Sequence, residues 1–319
     1  MSVALERRIF DVLHERHQLG FDELRALLRT SERGARAVLG VLVALGYLHT
    51  VDALVYMLTD TSKSFLVSSS AFSWKPFLLR PDSSLHKELS QALDDELVAS
   101  RVLDPARAMD AWESGEVSLE QAREFCARMH AHSLLAASYL SFAVDFKSRF
   151  QVSSVLDVGG GSGCFMIALA QNQGIRCGVG ELAGVVPVTK EYVLQNNVQD
   201  LVEVIPLNMF RDSFPKGYES FFFSNVFHDW SVEECRVLAK RTLDALPSRG
   251  KILLHEMILD ENLGGPKLAT FFSMHMFVHT KGQQFSLSQL RNLLESVGFV
   301  DVGMTRAHET FSLVYASKP

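Results

Sequence analysis

The run Val155-Leu156-Asp157-Val158-Gly159-Gly160-Gly161-Ser162-Gly163 has the residue types of a ligand-binding turn. An apolar strand ends at Asp157, four glycines follow within five positions, and an amphipathic segment runs from Cys164 to Gln171. Glycine suits such a turn because it takes positive φ and lets a ligand come close to the backbone. Amides at the start of the next helix favour an anionic or polar ligand group. The dinucleotide fingerprint would need a third glycine three residues after Gly161, and Cys164 stands there instead. No Lys-Ser/Thr pair closes the loop, which excludes a phosphate-cradling P-loop.

What remains is an acid followed by Gly-x-Gly-x-Gly, a pattern that suits S-adenosylmethionine (SAM), whose ammonium Asp157 can help neutralise. Glu181, 24 residues after Asp157, ends the second strand, where a carboxylate accepts from both ribose hydroxyls. His228 lies just past a fourth strand, Phe221 to Val226. Strand carboxyl ends face the ligand crevice of a doubly wound sheet. A neutral imidazole there can take a proton from a phenol or other hydroxyl. His275 and His279 are four apart on a predicted helix and share a face. With His228 and Asp229 they raise an alternative, a two-His, one-carboxylate metal site. Phe125, Met129, Phe272 and Met276, with His279, are candidate walls of an apolar acceptor pocket.

These groups need elements to carry them. Residues 4–16 predict an amphipathic helix, with Leu5, Ile9, Phe10 and Leu13 on one face. Phe21 to Leu28 predicts a second, and Ser31 caps a third that runs from Glu32 to about Leu48. A β-rich piece over 49–67, with a turn near Asp60, completes a winged-helix shape. Residues 68–84 are rich in Ser and Pro and read as a connection; 85–103 and 118–148 read as helices, with Pro105 and Gly115 interrupting. From Val152 onward strands alternate with helices. Strands are expected at 153–158, 175–181, 202–206, 219–226, 250–257, 299–304 and 310–316. Helices are expected at 162–172, 187–197, 231–246, 267–280 and 286–297. Such alternation implies an α/β fold, a mostly parallel, doubly wound sheet with helices on both faces. Ser231 with Glu234, and Ser286 with Gln289, form capping boxes. The expected domains are a winged-helix piece at 1–84, a helical linker and pocket region at 85–148, and the sheet domain at 149–319.

Composition narrows the function classes. A net charge of −6 gives no global basic field for nucleic acid. Cys126, Cys164, Cys177 and Cys235 form no CxxC pair and no metal spacing, which points to reduced thiols and a cytoplasmic location. No run of 18 apolar residues exists, so no membrane span is expected. Arg25, Arg29, Arg33 and Arg36 leave a rival of another class, a winged-helix DNA-binding regulator with a ligand-sensing domain. Against it, the would-be recognition helix continues almost entirely apolar from Ala37 to Leu45, whereas such a helix needs a polar face.

Several segments together give the chain a family likeness: Met129-His130-Ala131-His132-Ser133, the loop LDVGGGSG, Asn208-Met209-Phe210, Phe227-His228-Asp229-Trp230, the strand KILLHEMIL and the C-terminal SVGFVDV. With the winged-helix start, they make nearly the whole chain resemble the SAM-dependent small-molecule O-methyltransferases, which include plant caffeic-acid, acetylserotonin and bacterial antibiotic-tailoring enzymes. The resemblance implies a class I methyltransferase sheet of Rossmann-like type with a C-terminal antiparallel strand, and a homodimer built through the N-terminal helical domain. It also implies a small-molecule acceptor; no nucleic-acid partner, no membrane partner and no resident metal are expected. Gly159, Gly161 and Gly163 match the cofactor loop, Glu181 with Leu182 the ribose-binding corner, and Met209 with Phe210 the adenine side. Asn208 replaces a family Asp, and Ser224 stands where plant members often carry Lys. Ser133 matches a further ligand near the methionine end. His228 matches the general base and Glu256 the carboxylate that orients it. Gln284 replaces a second family Glu. Carbon methylation of a 2-oxo acid at a His228, Asp229 and His279 metal site is the alternative within the superfamily.

Overall fold

The apolar spacing of the N-terminal residues closes into helices around a small core, but not into one helix over 4–16. There are two, α1 (Ser2–Glu6) and α2 (Ile9–Arg16), because Arg8 takes the left-handed conformation at φ 57°. The Arg7 guanidinium donates to the Leu28 carbonyl and pairs with Asp94 at 2.9 Å. Then come β1 (Gln18–Gly20), α3 (Phe21–Leu28) and α4 (Glu32–Ala44), and Ser31 caps α4 by accepting from Gly34 N at 3.1 Å. The third helix stops at Ala44, short of the expected Leu48, because Leu48 already belongs to β2 (Leu48–His49). With β3 (Val55–Leu58) these strands form an antiparallel sheet of order β1-β3-β2, the wing. Asp60, expected in a turn, instead opens α5 (Asp60–Phe65), capped by Thr59 Oγ1. A short α6 (Lys75–Leu78) lies within the expected connection and α7 (Ser84–Asp94) follows. The computed structural model describes residues 1–95, 112 and 114–319, so the rest of the predicted helix to 103 and Pro105 fall outside the described residues.

A capping box between Ser118 and Gln121 starts α8 (Leu119–Ala143). The helix predicted to 148 breaks at an extended Val144, and Asp145 caps α9 (Phe146–Phe150). Next are β4 (Ser154–Val158), α10 (Cys164–Gln173), β5 (Arg176–Glu181), α11 (Val186–Gln195), β6 (Val202–Pro206) and β7 (Ser220–Ser224). A single 3₁₀ turn, Phe227–Asp229, leads to α12 (Val232–Ala245) and β8 (Lys251–Glu256). Ser231 and Glu234 form the expected capping box at α12. The chain ends with α13 (Lys267–His279), α14 (Leu287–Ser296), β9 (Val300–Arg306) and β10 (Ser312–Ser317). The seven-stranded sheet runs β6-β5-β4-β7-β8-β10-β9; β4 to β8 are parallel, and β10 is antiparallel to both neighbours. Every residue of β4 is buried, as befits a central parallel strand. The α10 segment, read as amphipathic, is instead buried from Cys164 through Ala170. The chain reverses direction across the sheet between β4 and β7, and ligands bind outside the carboxyl ends of strands at such a point.

The described residues divide into two compact units. One comprises those of Met1–Ala108 with Ile258–Ser288; the other comprises those of Met109–Met257 with Gln289–Pro319. The boundaries expected at 84 and 148 thus differ from the division the packing makes. The physical reason is α13: Phe277, with Met274 and Val278, packs into the same core as Leu24, Leu28, Leu39 and Leu42. Close approach of α4 to the segment before α13 requires Gly40, where an added Cβ would sit 2.7 Å from the Leu263 carbonyl oxygen. Gly40→Val is expected to destabilise this unit by about 1–3 kcal/mol through overpacking. Thermal unfolding followed by circular dichroism should show the loss; an unchanged Tm would mean the backbone gives way there.

Candidate active site

The carboxyl ends of β4, β5, β7 and β8 carry Asp157, Glu181, Ser224 and Glu256, so the sheet gathers on one edge what the sequence scatters over a hundred residues. The glycine loop after β4 holds Gly159, Gly161 and Gly163 at φ of 73°, 57° and 74°. Gly159 N donates to the Gly180 carbonyl at 2.8 Å, Gly161 N to Glu181 Oε1 at 2.8 Å, and Thr189 Oγ1 donates to the Gly161 carbonyl at 2.6 Å. Glu181 Oε2 accepts from Leu182 N at 2.9 Å. The acid expected to meet a ribose therefore also shapes the loop.

Asp157 is buried, and neither of its carboxylate oxygens has a hydrogen-bond partner. Burial first, and the charge of Glu181 second, raise its pKa well above the ordinary carboxylate range. Burial also raises Glu181, against its two amide hydrogen bonds. A Cβ at Gly161 would meet nothing within 4 Å. An orphaned acid beside open backbone fits a ligand with a cationic end and a polar body, which SAM is.

His228 sits in the 3₁₀ turn between β7 and α12 and is almost fully buried. Its Nδ1 lies 2.8 Å from Glu256 Oε2, and its Nε2 lies 3.7 Å from Asp229 Oδ1. The first contact is a close charge pair. Glu256 Oε1 accepts from Val226 N and Phe227 N at 3.2 and 3.1 Å, which fixes the carboxylate against the turn that carries the histidine. Burial works to lower the imidazole pKa, but the Glu256 and Asp229 carboxylates outweigh it and lift the ring to about 9. Desolvation, reinforced by Glu256, lifts Asp229 to about 6 against the pull of His228.

The remaining expected residues are placed less uniformly. Asn208 Oδ1 accepts from Phe210 N and Arg211 N at 3.0 and 3.2 Å, so its carbonyl closes its own turn. Met209 and Phe210 are half-buried in that turn, and the Phe210 ring stands edge-on to Trp230 with centroids 4.5 Å apart. Ser133 is half-buried on α8, as is Phe125, which packs on Trp112 at 4.6 Å; Met129 is exposed on the same helix. Phe272, Met276 and His279 belong to the first unit, where His275 and His279 do share a helix face, with ring centroids 4.3 Å apart. Gln284 is buried in that unit too, its N donating to Ser273 Oγ. Among the described residues no three His, Cys, Asp or Glu side chains are grouped to hold a metal ion, so the His228, Asp229 and His279 alternative gains no support. The DNA-reader alternative is not favoured either. Arg25 pairs with Asp22, Arg36 pairs with Glu32, and Arg33 donates to the Thr280 and Gly282 carbonyls, while α4 buries most of its apolar face. No helix among the described residues is long and apolar enough to cross a membrane.

Sequence reasoning missed three partners here. His255 stacks on Phe311, centroids 4.7 Å apart and planes at 9°, with Nδ1 3.0 Å from Ser224 Oγ. Burial first, then the charges of His308 and His132, hold it down to about 3, so it stays neutral. A histidine inside the apolar run KILLHEMIL was the available signal. His130 Nδ1 lies 2.9 Å from Ser162 Oγ, and Thr189 grips the loop from α11; neither contact leaves a local mark in the sequence.

Comparison with known proteins gives the chain its family. Residues 86–300 match the O-methyltransferase domain and residues 1–68 the O-methyltransferase dimerisation domain, which supports a homodimer. The chain is 26% identical to 3-hydroxy-5-methyl-1-naphthoate 3-O-methyltransferase of Streptomyces sahachiroi, over 96% of this chain and 87% of that protein. It is 26% identical to acetylserotonin O-methyltransferase of Bos taurus, over 100% of this chain and 93% of that protein. An O-methyltransferase family 2 protein of Planctomyces limnophilus, solved in complex with apigenin, superposes with a TM-score of 0.81 at 25% identity, covering 100% of this chain and 92% of that one. The chain belongs to the O-methyltransferase family and is a SAM-dependent methyltransferase.

Proposed function

We propose that this enzyme methylates a hydroxyl of a small aromatic or apolar metabolite, with His228 as general base and Glu256 as the group that orients it. The observation that carries the reading is the 2.8 Å approach of Glu256 Oε2 to His228 Nδ1 at the carboxyl ends of β7 and β8, beside the strand that opens the glycine loop. SAM supplies an electrophilic methyl group on a sulfonium. Asp157, Gly159, Gly161, Gly163, Glu181 and Leu182 would hold its amino-acid and ribose parts, Asn208, Met209 and Phe210 its adenine, with Ser133 and Ser224 as further polar contacts. Glu256 keeps a proton on Nδ1, so Nε2 takes the acceptor's hydroxyl proton, and the two carboxylates stabilise the imidazolium that results. Burial of the pair excludes bulk water from that proton transfer. A relative named for a hydroxynaphthoate, and a neighbour holding apigenin, support an aromatic acceptor.

The test is turnover of SAM against a panel of hydroxyarenes and 2-oxo acids, with products identified by mass spectrometry and NMR. Methyl ethers are the expected products. New carbon–methyl bonds, with dependence on added iron, would overturn the reading in favour of carbon methylation.

A further inference from the structure

We propose that His130 is a positioning residue that buckles α8 onto the cofactor loop through Ser162. The inference rests on the reading of that loop as the cofactor's cradle. Ser162 is the one non-glycine residue inside Gly159–Gly163, and it is buried, so its hydroxyl is not offered to solvent. His130 Nδ1 meets that hydroxyl at 2.9 Å. The imidazole is held in turn by Tyr192 of α11, stacked with centroids 4.6 Å apart and planes at 26°. About two turns earlier on α8, Arg123 makes a double hydrogen bond to Glu191, at 2.7 and 2.6 Å. The helix is thus tied twice to α11 and once to the loop between β4 and α10.

The physical consequence follows from the loop's composition. Four glycines lose more backbone entropy on ordering than any other residues would. A loop that must present its amides in one arrangement needs outside anchors. Glu181 supplies one from β5, and Thr189 supplies one from α11. His130 supplies the third, from an element that lies before the sheet in sequence. Desolvation lowers the pKa of His130, so the ring is neutral at physiological pH and can accept from, or donate to, the serine hydroxyl according to its tautomer. It acts by preorganising the loop and not by touching cofactor or acceptor.

Calorimetry on the dimer tests this. His130→Leu is expected to weaken SAM and S-adenosylhomocysteine equally, about three- to tenfold, the worth of one neutral hydrogen bond. The KM for the acceptor should stay within twofold. His130→Asn, which can still reach Ser162, should recover most of the affinity. Ser162→Ala should show the same loss, and the double variant should be no weaker than either single one. Wild-type affinity in His130→Leu, or additive losses in the double variant, would overturn the proposal. A loss for SAM alone would overturn it as well, since that reports a charge effect and not a held loop. Asp157→Ala run alongside separates the two levels: if it too binds SAM normally, the cradle reading fails; if only His130→Leu is silent, the buckle fails.

Discussion

A His228→Ala variant is expected to turn over about 10²- to 10⁴-fold more slowly, the usual contribution of a general base. Its affinity for SAM, measured by calorimetry, should stay nearly unchanged. The separation is possible because His228 belongs to the turn after β7, whereas the glycine loop hangs from β4 and is anchored by Glu181 and Thr189. The pH dependence carries the same assignment. With its pKa lifted to about 9, His228 is largely imidazolium at neutral pH in the free enzyme, and a base must first lose that proton. kcat/KM should therefore rise with pH through about 9. In Glu256→Gln the larger of the two attractive charges is gone, and the rising limb should move to lower pH. The same shift has a stability side. A histidine raised above its unfolded value favours the folded state below pH 6.5, and that contribution is lost as pH climbs through about 9. A His228→Ala enzyme that keeps its rate, or a Glu256→Gln limb that does not move, would remove the base assignment.

The second large effect is expected at Asp157. Its carboxyl is buried, unpaired and raised in pKa, an arrangement that disfavours the ionised acid until a cation arrives. Asp157→Ala is expected to weaken SAM binding by about 10- to 100-fold, the range for a hydrogen bond to a charged group in a dry site. For the wild type, affinity should increase with pH as Asp157 and Glu181 lose their protons, because both are raised in the free protein. In Asp157→Asn that slope should flatten. Equal affinities for wild type and Asp157→Ala would mean that the orphaned acid serves the fold and not the cofactor.

Much of this was legible in the chain because it is written in local grammar. A strand, a run of glycines and a helix are adjacent in sequence, so the loop could be read from Val155 to Gly163. The ends of β5 and β8 could be placed from apolar runs that stop at Glu181 and at Glu256. The failures have a common cause in longer reach. Arg8 looks like any residue in an amphipathic helix, yet it takes a left-handed turn, next to Arg7, whose partners Leu28 and Asp94 lie far along the chain. Apolar residues surround α13 on all sides, so no periodicity indicated which core it would join. His130 and Ser162 lie 32 residues apart, and only the folded chain makes them neighbours.

The affiliation of Ile258–Ser288 with the N-terminal unit bears on how the molecule can be made and cut. The polypeptide leaves the first unit, builds most of the sheet, returns to complete the first unit, and departs again. A gene fragment ending near residue 95 would omit Phe277 and the helix that carries it, and would uncover the part of α4 that packs against that helix. A fragment starting at 149 would carry that helix without its seat. Dissecting this enzyme therefore calls for point substitutions or a permuted chain that keeps α13 with α4, rather than truncation.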